Sequence, residues 1–334
     1  MSFEETTKTP TVIDDKLNLA HQSYNRHDFE KTILYVGSVI TIEPVNKQAL
    51  ALLKTLVDNS LIDASTLIIE NENEEPLLGN YSVLTYTLGY TKQFDQALVH
   101  LTKLLLLTEE TLYLYWLEDW MTNEDFFKLL SLDALRKALV KLMLLPNQAE
   151  FNYSIREIYE FYLSLMMKAE KEYKFDESLQ YIMAVVARRC LQFQRSILIA
   201  AKSYGTKPSY FNTLALAYAY RELKDYDNTV KFFKEAINFK SDAIEVKLEL
   251  ADYVCQKANL NSDDYKKGIQ LYKEVADSNP QHNWAYPSYL FYSYMLEFNP
   301  SVLKQLENFC LENPGNERGT KLLQKIKTIK KTHK

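Results

Sequence analysis

Four times along the chain a proline stands twelve residues after a valine or a smaller residue: Thr32 and Pro44, Ala134 and Pro146, Gly268 and Pro280, Val302 and Pro314. That distance fits a helix of about three turns closed by a proline that cannot continue it. The best-defined stretch starts near Tyr210. There Leu216, Tyr220 and Leu223 recur at helical spacing, as do Phe233, Ala236 and Ile237. Between the two sets, Lys224-Asp225-Tyr226-Asp227 is polar enough to be a turn. The unit is a helical hairpin, helix A then helix B. A single hairpin cannot bury its own apolar face, so such units stack, and about three or more are needed for stability.

Composition agrees with helices joined by short turns. The chain has only 7 glycines in 334 residues, where average usage predicts roughly 23. That scarcity argues against a Rossmann fold, a β-sandwich or a barrel, all of which need many glycine turns. The nine prolines are spread thinly, and 47% of residues are hydrophobic, so the chain is not of the disordered class.

The hairpin resembles the tetratricopeptide repeat (TPR), a helical hairpin of about 34 residues. Ala217, Tyr226, Thr229 and Phe233 fall on the family's small, aromatic, small and aromatic positions 8, 17, 20 and 24, and Ser241 stands where proline is usual. The frame recurs in Ala20, Phe29, Thr32, Val36 and Pro44; in Leu84, Phe94, Ala97 and Leu101; in Leu165, Phe175, Ser178 and Ile182; and in Ala251, Tyr265, Gly268, Tyr272 and Pro280. The last of these carries about five extra turn residues around Asn259-Leu260-Asn261. Units start near residues 13, 45, 78, 115, 159, 210, 244 and 283.

The resemblance implies an all-α fold, an α-solenoid coiled as a right-handed superhelix of seven to eight TPR-like hairpins. The expected division is a flexible segment 1–12, a repeat array 13–314 and a basic capping helix 315–334. Units near 45–77 and 111–158 are degenerate, with a helix expected to cap at Ser131. Asp176 to Ser203 reads as one long helix, ended by Gly205 and Pro208. No linker marks two independent domains; Glu70–Glu75 and Gly205–Pro208 are the best breaks.

Nothing in the residues points to catalysis, a metal or a cofactor. The five histidines have no cysteine or serine partner in a nucleophile motif. His21 and His27 are not spaced as a helical zinc pair. The glycines build no phosphate loop. Cys190, Cys255 and Cys310, odd in number and far apart, read as free thiols in a reducing compartment. A net charge of −5 argues against a nucleic-acid partner. No leader or membrane span is apparent, so a cytoplasmic location is expected.

Binding is the remaining expectation. In the family, helix A lines a concave groove. Carrying those positions over gives Tyr86, Tyr90, Tyr218, Arg221, Glu245, Glu249, Asp252, Phe291 and Tyr294 as a peptide-binding groove, with the five aromatics partly available to a ligand. Asn18, His21, Asn25, Ser82, Phe211 and Trp284 fall on the same face. The carboxylate clamp of some family members is absent, because Leu17 and His21 stand at two of its positions. Glu245, Glu249 and Asp252 share a helix face, where like charges repel, so a protein or peptide partner with basic and apolar side chains is expected. The functional expectation is a non-catalytic protein–protein interaction scaffold. The alternatives are an accessory subunit or module of a larger enzyme or assembly, and an enzyme with an unrecognised site.

Overall fold

A computed structural model describes residues 10–62, 78–145, 152–280 and 282–332. Among them are eighteen α-helices, and the chain divides into two compact units, Met1–Gln192 and Phe193–Lys334. The expected break at Glu70–Glu75 lies outside the described residues, as do Pro146 and residues 1–9.

The first unit contains α1 (Pro10–Asn25), α2 (Phe29–Ile42), α3 (Lys47–Asp58), α4 (Leu78–Tyr90), α5 (Phe94–Thr108), α6 (Leu114–Thr122), α7 (Phe126–Leu129), α8 (Leu132–Leu142), α9 (Tyr153–Glu172) and α10 (Glu177–Arg189). Helix α1 packs on α2, and α4 on α5, as A and B helices of two hairpins. Helix α2 also lies directly on α4, because Gly37 and Gly79 let the two backbones meet. The degenerate stretch after α5 is joined to it differently. Helix α8 packs on α5. Asp95 of α5 accepts hydrogen bonds from the Ser131 backbone N–H and hydroxyl, both 2.7 Å, while Ser131 caps α8 by accepting from Ala134 N. Arg189 then donates to the Met143 and Leu145 carbonyls just past α8, at 3.1 and 3.3 Å, satisfying groups a helix end leaves unpaired.

The second unit contains α11 (Phe193–Thr206), α12 (Tyr210–Glu222), α13 (Tyr226–Phe239), α14 (Ile244–Lys257), α15 (Asp263–Ser278), α16 (Ala285–Glu297), α17 (Pro300–Glu312) and α18 (Glu317–Thr332). Each helix from α11 to α17 packs on the next. Ala217, Ala251, Thr229 and Phe233 are fully buried, which is what close A–B packing requires of the small and aromatic positions. Gly268 fills the same role in α15, since a Cβ there would lie 2.5 Å from Val254 Cγ2. Helix α18 packs on α16 and α17 and buries Leu322 and Ile326. Cys310 of α17 faces Gly319 of α18, its sulfur 3.2 Å from where a Cβ would stand.

One turn recurs. His27, Lys92, Leu191 and Lys224 all adopt the left-handed conformation. In each case the following N–H closes a hydrogen bond five residues back: Asp28 to Ser23, Gln93 to Leu88, Gln192 to Ala187 and Asp225 to Tyr220, all 2.8–3.1 Å. This is the Schellman stop. Each time an Asp or Gln and then an aromatic residue begins the next helix: Phe29, Phe94, Phe193 and Tyr226.

That turn corrects the expectation of one long helix from Asp176 to Ser203. The chain stops at Arg189, reverses through Leu191 (φ 61°) and starts α11 at Phe193. The hairpin frame therefore also fits Ala184, Phe193, Ser196 and Ala200, with Pro208 at its end. The boundary between the two compact units falls at this turn.

Candidate binding clefts

Each unit carries an open cleft lined mainly by A helices of successive hairpins. In the second unit a cleft of 630 Å³ lies between α12 and α14, lined by Arg221, Glu249, Asp252, Tyr253, Gln256 and Tyr226 among others. Arg221 reaches Glu249 at 2.5 Å and lies over the Tyr218 ring, 4.8 Å from its centre. Tyr226 stacks on Tyr253 and donates to Asp264 at 3.1 Å. Burial, and after it the Asp264 charge, pushes the Tyr226 hydroxyl up from its ordinary pKa.

The acidic face expected on α14 is present, and it is matched from within the chain. Glu249 pairs with Arg221, and Asp252 pairs with Arg318 at 2.6 Å. Glu245, still well exposed, stands 3.8 Å from the His282 imidazole. The Tyr272 hydroxyl also donates to Asp252. Burial opposes the Arg318 charge, yet the neighbouring Asp252 and Tyr272 outweigh it and hold its pKa up. Arg318 further donates from Nε to Ser288 Oγ at 3.2 Å and lies over the Trp284 ring at 5.1 Å. The first residues of the basic C-terminal helix thus occupy one end of the acidic face.

In the first unit a cleft of 570 Å³ is walled by α3, α4 and α6. Tyr86 and Tyr90 stack along its floor with centres 6.4 Å apart. The Tyr90 hydroxyl donates to both Asp58 oxygens at 3.0 and 3.1 Å, and Lys54 lies over its ring. Trp120 is pressed against Gly89 so closely that any Cβ there would fall 2.0 Å from the indole. Burial raises the Tyr86 pKa, and the charge of Asp119 raises it further.

Three of the aromatic residues expected to be partly available are core residues. Tyr86 is 5% exposed, Phe291 2% and Tyr294 5%. The reason is packing: Trp116 meets the Tyr86 ring edge-on, and Tyr292 and Lys325 cover Phe291. Ser82 is likewise buried, hydrogen-bonded to the Tyr113 hydroxyl at 3.1 Å. Tyr90, Phe211 and Trp284 keep exposed surface. The structure brings Tyr86 together with Tyr90 in one cleft, and Arg221 with Glu249 and Asp252 in the other. The sequence reading missed Lys54, Asp58, Asp119 and Trp120, which lie in the two degenerate units, and Tyr253 and Gln256 on α14. For the last two the α14 helical face itself was the available signal.

The hairpins define a TPR-like helical repeat protein. No family model matches the chain, and no curated protein matches it in sequence. Among solved structures it is similar to the APC/C hetero-tetramer Cut9–Hcn1, at 15% identity and a TM-score of 0.34, over 84% of this chain and 55% of that one. It is also similar to the P58(IPK) TPR domain, at 12% identity and a TM-score of 0.28, over 96% and 99% of the two chains. The chain therefore spans about half the length of the first of these. No helix among the described residues is long and apolar enough to cross a membrane.

Proposed function

We propose that this protein is a non-catalytic scaffold that binds a peptide or protein segment along its A helices. The observation that carries this reading is the cleft of 630 Å³ between α12 and α14. It joins apolar ring surface from Tyr226 and Tyr253 to charges of both signs, Arg221, Lys257, Glu222 and Glu249. Rings with polar tips beside fixed charges are what a recognition surface uses to combine buried area with register. Because Glu249 and Asp252 already have cationic partners, a basic ligand group must compete with Arg221 or Arg318, and apolar contact supplies much of the affinity.

A second reading, an accessory subunit held by its outer faces, draws on Leu198 and Leu311, which are 71% and 79% exposed. One experiment separates the two. A photo-crosslinking amino acid is placed at Tyr253 in the cleft, or at Leu311 outside it, and irradiated in cell extract. The scaffold reading predicts a discrete protein adduct from position 253 and none from 311. Adducts from 311 alone would establish the accessory-subunit reading.

A further inference from the structure

Two places in this chain bring together an aspartate, a tyrosine hydroxyl and a tryptophan. In the second unit Asp252, Tyr272 and Trp284 surround a guanidinium, that of Arg318: the carboxylate accepts from it at 2.6 Å, the tyrosine braces the carboxylate, and the indole lies against the cation. In the first unit Asp119, Tyr86 and Trp120 line a single cleft. There the Asp119 carboxylate is exposed and pairs with no basic side chain among the described residues. The Tyr86 side chain is 5% exposed, and its hydroxyl, which bonds to no described residue, is not among the buried unpartnered atoms and so keeps access to the cleft. A hydroxyl that opens into a cleft can accept from a ligand donor in place of water.

The nearby cations are held elsewhere. Lys92 pairs with Asp125 at 3.0 Å, and Lys54 lies over Tyr90 on the opposite, α3 wall. A guanidinium carries five N–H donors and no acceptor. A carboxylate beside a phenol oxygen supplies the acceptors it needs, and a planar fork uses two of them at once.

We propose that the cleft between α3, α4 and α6 receives an arginine side chain from an extended segment of a partner protein, with the guanidinium on Asp119 and Tyr86 and its stem beside Trp120. This rests on the scaffold reading and specifies the chemistry it recognises in the first unit.

The test uses the full chain labelled with 15N at its tryptophan indoles. Three resonances report three settings. Trp116 donates to the Pro44 carbonyl at 2.9 Å, and Trp284 lies under Arg318, so both serve as references. The probes are acetyl-Gly-Leu-Arg-Leu-Gly-amide and its citrulline, lysine and aspartate counterparts. The expected result is a saturable shift of the Trp120 resonance with the arginine peptide. The citrulline peptide should bind about ten-fold more weakly, as loss of a charge-assisted hydrogen bond implies. The lysine peptide should fall between them. Asp119→Asn, on an exposed side chain, should bring the arginine peptide down to the citrulline level with the melting temperature unchanged. Equal binding of arginine and citrulline peptides would overturn the proposal, as would a preference for the aspartate peptide, an unmoved Trp120, or a shift that survives Asp119→Asn. Photo-adducts from position 253 alongside an unmoved Trp120 would leave the scaffold reading standing while this inference fails.

Discussion

Gly37 and Gly79 stand where two helix backbones touch: a Cβ on Gly37 would fall 2.8 Å from the Gly79 carbonyl carbon and oxygen. Two effects compete at Gly37. Alanine is the better helix former by about 1 kcal/mol, but forcing a methyl against a backbone costs roughly 1–3 kcal/mol. Backbone atoms cannot rotate away as a side chain can, so packing should win, and Gly37→Ala should lower the melting temperature. A rise would mean that α2 and α4 part at little cost. This contact was not legible in the sequence, because residues far apart along the chain leave no spacing signal. The small positions Thr32, Ala97 and Thr229, all fully buried, were legible because each repeats at a fixed distance from an aromatic residue. The first cleft divides the same way: Tyr86 and Tyr90 followed from the hairpin frame, whereas Asp119 and Trp120 sit in a unit where that frame is lost.

Helix ends show why one hairpin was overlooked. At His27 and Lys224 the reversal is announced by an aspartate that caps the next helix, Asp28 accepting from Lys31 N and Asp225 from Asn228 N. At Leu191 the same backbone geometry is built from Cys190-Leu191-Gln192, which continues the apolar pattern of α10. Only Gln192-Phe193, matching Gln93-Phe94, marks the stop. An L-residue in the left-handed region is strained by about 1 kcal/mol or more, and glycine is not. Lys224→Gly should therefore stabilise the second unit by roughly 0.5–1 kcal/mol, the strain relief being partly offset by glycine's extra freedom when unfolded. Chemical denaturation should show a higher midpoint with the slope unchanged. A lower midpoint would mean that the lysine side chain itself holds the turn.

For the chain as a whole, the helical class followed from spacing, and the acidic face on α14 from its periodicity. The partners of that face did not. Arg221 comes from the preceding hairpin and Arg318 from the C-terminal helix, 66 residues from Asp252, so a face that looked free is largely neutralised by folding. The same helix closes the apolar end of the array with Leu322 and Ile326. Stacked repeats depend on such ends for solubility and cooperativity. Removing the chain from Glu317 onward should cost more helical signal than the 16 residues of α18 account for, because α16 and α17 lose their cover. A loss limited to α18 would show that the last hairpin stands alone.

The seating of Cys310 beside Gly319 makes the cover over this end of the molecule readable by a thiol reagent. Cys190 and Cys255 are buried, and Cys310 is the one thiol with partial access. Its burial pushes its pKa up, which slows alkylation while α18 is in place. A maleimide should therefore modify Cys310 faster once the chain from Glu317 onward is removed, and the ratio of the two rates measures how far the final helix shields that thiol, with no reporter group added to the chain.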